Sequence, residues 1–145
     1  MTLSTFFPLL VSHVMGDAVF TSYRLAVRKR SRVLSDQLLA ISYHSSVHAV
    51  FAGLFLLLLG KLWLKGALLV LALHFAIDFF RCRVEVKLYG PGRIHVKRSE
   101  LIDWISGKNG EGEKMKVRNV WPWFFIHLLD QGAHLGSLYC IALVV

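Results

Sequence analysis

Four stretches of this chain are apolar along nearly their whole length, and each is interrupted by one polar pair. Residues 3–23 carry His13 and Asp17, residues 36–60 carry His44 and His48, residues 62–81 carry His74 and Asp78, and residues 121–145 carry Asp130 and His134. Every pair is separated by four positions, and residues at i and i+4 lie one above the other on a single helical face. The pattern therefore predicts four helices, apolar all round except for one stripe of imidazoles and carboxylates. Residues 37–60 contain no Asp, Glu, Lys or Arg, a run longer than the ~20 residues that cross a hydrocarbon core. The expected fold is an all-α membrane protein, a four-transmembrane-helix bundle forming a single domain over residues 1–145. Ser35 or Asp36 is the expected cap of the second helix.

The one sizeable aqueous segment is residues 82–120. Val84 to Tyr89 alternates apolar and polar at period two, Gly90-Pro91-Gly92 reads as a turn, and Arg93 to Lys97 alternates again. A β-hairpin is expected there, in competition with a helical continuation of the third span. A short amphipathic helix from Ser99 to Ile105 should follow, and this cytoplasmic insert is the place where a protein partner would dock. Trp121 and Trp123 mark the membrane interface at which the fourth span enters.

Composition strengthens the membrane reading, because 55% of residues are hydrophobic and the mean hydropathy is +0.54, well above a soluble chain. The N-terminus lacks the basic start of a signal peptide and carries Asp17 inside its apolar run, so an uncleaved first span is expected. The net charge of +8 is concentrated in two connections. One holds Arg24, Arg28, Lys29, Arg30 and Arg32; the other, Arg81 to Arg118, holds ten basic residues against five acids. By the positive-inside rule both face the cytoplasm, which leaves both termini outside an inner membrane. That topology, with attraction to anionic lipid, accounts for the basic balance without nucleic acid. Lys61 and Lys65 are placed to snorkel to the outer interface. Cys82 and Cys140 fall toward opposite faces and are not expected to pair.

Depth decides whether the four pairs form one site. Counted inward at 1.5 Å per residue, Asp17 and His13 lie about 10 and 16 Å from the cytoplasmic end, and His44 and His48 about 12 and 18 Å. Asp78 and His74 lie about 5 and 10 Å in, and Asp130 and His134 about 13 and 20 Å. All four pairs thus reach one layer on the cytoplasmic side. A lone carboxylate at a helix centre costs ~2.5–3.5 kcal/mol, so three of them persist only by facing one another, a cavity or a cation. The ligand set contains nitrogen and oxygen and no sulfur, which suits a divalent metal, zinc first and manganese or iron next. Candidate ligands are His13, Asp17, His44, His48, His74, Asp78, Asp130 and His134, enough for two ions or for one ion with carboxylates supporting it from behind. His127 and Gln131 are the expected supporting partners. Arg24, Gln37 and Arg81 project from the same stripes toward the cytoplasm and are placed to hold an anionic group.

These residues resemble a known family. His13-Val-Met-Gly-Asp17, His44 with His48, His74-Phe-Ala-Ile-Asp78 and Asp130-Gln-Gly-Ala-His134 are together similar to the signature of a small four-span membrane family of bacteria and phages, domain of unknown function 3307. The resemblance covers the four spans and leaves out the 82–120 insert. The family's first motif usually carries a glutamine four residues past the aspartate, where this chain has Thr21. A looser similarity to inner-membrane proteins labelled metal-dependent hydrolases implies hydrolysis, and an anionic substrate held by Arg24 and Arg81 would most naturally be a lipid or phosphorylated group reaching the site from the inner leaflet. Asp17 or Asp130 would then act as general base. The alternative is a non-enzymatic protein, an ion or proton conductor or a helper subunit, using the layer as interhelical polar glue. A homo-oligomer is compatible with either.

Overall fold

The computed structural model describes residues 2–91, 106 and 120–145. The elements run α1 (Thr2–Phe20), α2 (Tyr23–Arg28), α3 (Leu34–Leu58), α4 (Trp63–Tyr89) and α5 (Val120–Val144), and no strand occurs among the described residues. α1 and α4 each pack against both α3 and α5, so the four long helices close a ring with α1 and α4 on one diagonal.

Local chemistry sets the breaks. α1 stops at Phe20, and Ser22 opens α2 by accepting a hydrogen bond from the Leu25 N–H at 3.2 Å. α3 starts after Val33, which offers no side-chain cap; Asp36, expected as a cap, instead sits in the first turn, where its charge complements the helix dipole. At the far end Gly60 adopts φ 64°, with Gly60 N–H donating to Leu57 and Lys61 N–H donating to Leu56. This left-handed closure lets α4 turn back beside α3.

The hairpin expected at 82–120 does not form, because its first strand is helix: α4 continues through Val84–Tyr89 and stops before Pro91. The alternation was misleading. In the helix Val84 and Leu88 are exposed, while Cys82 and Glu85 complete a buried stripe through Gly66, Val70, His74 and Asp78. Glu85 is held there by an ion pair with Arg30. The second predicted strand and the predicted helix from Ser99 to Ile105 lie outside the described residues.

The expected count of four spans also changes. Three helices, over Leu3–Phe20, Leu34–Leu58 and Trp63–Tyr89, are long and apolar enough to cross a membrane. α5 is as long as α3 but is not among them, since His127, Asp130, Gln131 and His134 interrupt its middle. Burial is inverted relative to a water-soluble bundle: Leu3, Leu58 and Leu129 are more than 70% exposed, whereas most of the histidines are enclosed. One end of the interior is apolar, built from Leu9, Ala52, Leu56, Val70, Leu138, Ile141 and Ala142. Lys65 reaches back at that end and donates to the Val144 carbonyl at 2.9 Å, tying off α5. Cys82 is buried, Cys140 is exposed, and both thiols are free.

Candidate metal centre

Beyond the apolar half, each long helix delivers its pair to the same layer. On α4 His74 follows Val70 by one turn, on α3 His48 and His44 precede Ala52, and on α5 His134 and Asp130 precede Leu138. Seven of the eight candidate ligands are at most 5% exposed, Asp17 being the exception. Asp17 Oδ1 lies 3.2 Å from His44 Nε2 and 3.4 Å from His48 Nε2, and its Oδ2 lies 3.4 Å from His13 Nε2. The two Nε2 atoms of His44 and His48 are 3.2 Å apart. Asp78 Oδ2 stands 3.7 Å from His44 Nε2 and 3.8 Å from His74 Nε2, and Asp130 Oδ1 stands 3.6 Å from His134 Nε2. His74 is the hub, with its ring centroid 3.8 Å from that of His48, 4.2 Å from His134, 5.0 Å from His44 and 5.5 Å from His13.

Three sets of these residues bring one ligand atom each within 4.8 Å of all the others: Asp17, His44, His48 and His74; His13, His74 and His134; Asp78, Asp130 and His134. The donor set fits a divalent ion. Nε2 of His13, Nε2 of His74 and Oδ1 of Asp130 are buried without a hydrogen-bond partner among the described residues. Each such vacancy costs about 1–3 kcal/mol if it stays unfilled. Thr21 Oγ1, 3.4 Å from His44 Nδ1, holds that ring from behind and leaves Nε2 facing Asp17, the usual arrangement for a ligating histidine.

The cations beside the layer differ from those expected. Arg24 is exposed on α2, because α1 ends at Phe20 and its stripe does not continue. Lys29 is buried instead, and its Nζ donates to Asp78 Oδ2 at 2.6 Å. Arg81 forms an ion pair through Nη2 with Asp78 Oδ1 at 3.1 Å and donates through Nη1 to Asp130 Oδ2 at 3.3 Å, so its charge is engaged internally. Gln37 is fully buried and donates to the Lys29 carbonyl at 2.9 Å, pinning the connector. Gln131 donates to Asp130 Oδ2 at 3.2 Å, while His127 stacks on Trp123 with ring centroids 4.8 Å apart. Lys29, Arg30 and Glu85 were not legible as site residues, and Thr21 only as standing where the family's first motif usually has a glutamine. Only the need of a buried carboxylate for a counter-charge, set beside the basic connector, pointed toward them.

α1 approaches α3 closely enough that a Cβ at Gly16 would collide with the His48 ring. Gly16→Ala is expected to destabilise the protein by about 1–3 kcal/mol through overpacking and to displace the imidazole. Thermal unfolding in detergent and metal retention measure the two effects; an alanine variant matching the parent in both shows that the contact relaxes freely.

The four motifs thus meet in space, and a family model spanning them matches residues 5–145. The chain belongs to the family described as Protein of unknown function (DUF3307). The matched range of this DUF3307 chain includes residues 82–120, which the motif resemblance had left out. No curated protein and no solved structure matches it.

Proposed function

We propose that this DUF3307 protein is an integral membrane metalloprotein that hydrolyses a phosphorylated lipid or a related anionic substrate. The observation that carries the reading is the convergence of His13, His44, His48, His74 and His134 with three aspartates from four helices, two of the imidazoles keeping a buried Nε2 that has no hydrogen-bond partner among the described residues. The all-nitrogen-and-oxygen donors favour zinc, with manganese and iron next. A divalent ion bound there would supply a water of lowered pKa and polarise a phosphoryl or acyl oxygen.

The chain's own residues divide the remaining tasks. Asp17, with 39% of its side chain exposed, is the aspartate of the layer most open to the outside of the bundle; its Oδ1 faces His44 and His48, and its Oδ2 is the oxygen left to accept a proton. His13 steadies its second oxygen. Asp130 is enclosed and tied to Arg81, which argues against its acting as base. The basic connector with Arg24, Arg28 and Arg32 supports a cytoplasmic position for this end in an inner membrane, from which an anionic headgroup would arrive through the inner leaflet. Among the described residues the far half is lined mainly by apolar side chains, Thr5 being a buried exception, which speaks against an ion or proton conductor. Elemental analysis of protein purified in mild detergent without chelators is expected to find a stoichiometric divalent metal. Protein that is folded and metal-free, and that takes up neither zinc nor manganese on dialysis, refutes the proposal.

A further inference from the structure

Resting on the reading of the layer as a metal centre, we infer that it holds one ion, seated among Asp17, His44, His48 and His74, and that Lys29 and Arg81 take the place of a second ion beside Asp78 and Asp130. The argument is one of charge. Of the three aspartates, Asp78 and Asp130 face an ammonium and a guanidinium at 2.6–3.3 Å. Two negative charges are matched there by two positive ones in a closed network. A divalent cation entering that network would meet Lys29 and Arg81 at close range, in an interior that screens such repulsion poorly. Among the described residues Asp17 has no lysine or arginine partner of this kind: it faces the imidazoles of His13, His44 and His48.

Ligand geometry agrees. Asp17 Oδ1 points at the Nε2 atoms of His44 and His48, and His74 Nε2, 3.8 Å from Asp78 Oδ2, is buried with no hydrogen-bond partner among the described residues. Three nitrogens and one oxygen suit a divalent ion of the zinc or manganese kind, which would keep a further position for the water that hydrolysis needs. Lys29 is a built feature rather than a stray contact: it is 3% exposed, and Gln37 anchors its backbone carbonyl. His134, 3.6 Å from Asp130, then belongs to the charge network and does not ligate. Asp130 Oδ1, which has no hydrogen-bond partner among the described residues, is where a second ion would bind if this inference were wrong.

The test is the metal-to-protein ratio of the native chain in detergent, together with electron paramagnetic resonance of the manganese-loaded form. One ion per chain and the spectrum of an isolated Mn(II) are expected. Asp17→Asn and His48→Ala should each lower the affinity at least 100-fold, while Asp130→Asn should keep one ion. Two ions per chain, an exchange-coupled spectrum, or an Asp17→Asn protein that retains its metal overturns this inference and leaves the metal centre standing. A native chain that binds no metal removes both. The ratio and the spectrum need no variant, so a poorly folding Asp130→Asn protein does not blunt the test.

Discussion

Exchanging His74 for alanine is expected to strip the metal and abolish hydrolysis. This imidazole is the hub of the cluster, is shared by two of the three candidate ligand sets, and has a buried Nε2 with no hydrogen-bond partner among the described residues. Altering residues that merely support ligands costs 10–100-fold in metal affinity, so removing a ligand should cost on the order of 100-fold or more. Alanine also opens a cavity, and for that reason His74→Gln is the sharper variant. Glutamine keeps most of the volume and the capacity to hydrogen-bond. If the layer were only polar glue between helices, glutamine would be tolerated. As a metal site it should lose the ion with either substitution, while the glutamine variant unfolds like the chelator-treated parent. Metal content and unfolding of the two variants together decide the matter, and full occupancy in His74→Gln would remove His74 from the centre.

Asp78→Asn should produce the largest loss of stability. Asp78 is 2% exposed, and its carboxylate receives both Lys29 Nζ and Arg81 Nη2. Asparagine leaves an ammonium and part of a guanidinium buried without their negative partner. Breaking a buried pair from one side typically costs about 3–5 kcal/mol. Lys29→Met alone leaves Asp78 with Arg81 and should cost less. Combining the two changes should recover part of the loss, because the stranded ammonium is gone, and the coupling in the double-mutant cycle should exceed about 1 kcal/mol. Additive effects would mean that Lys29 and Asp78 do not depend on each other.

What could be read along the chain was what lies within one helix. The four apolar stretches and their i, i+4 pairs recur as α1, α3, α4 and α5 with His13, Asp17, His44, His48, His74, Asp78, Asp130 and His134 gathered in one layer. Depth arithmetic sufficed for this, since rise per residue is a local constant. Reading failed where two periodicities overlapped. Val84 to Tyr89 alternates like a strand, yet the tail of α4 is held as helix by Glu85, whose partner Arg30 is 55 residues away. It failed again at Arg24, whose projection assumed that α1 ran on past Phe20. The expectation of a fourth crossing treated α5 as equal to the others, although its central polar residues leave it outside the three helices apolar enough to span.

The sequence by itself determined that this protein is helical, that it has segments fit for a bilayer, and which side chains make its polar layer. Hydropathy and helical spacing are written into consecutive residues and need no partner to be read. Only the tertiary structure decided how the charges are shared: Lys29 with Asp78, Arg81 bridging Asp78 and Asp130, and Asp17 left to the histidines. The Lys29–Asp78 and Arg81–Asp130 contacts each join residues 49 positions apart. Their existence depends on where α1 breaks, how α2 folds back beneath the bundle, and how closely Gly16 lets α1 approach α3, none of which leaves a periodic trace along the chain.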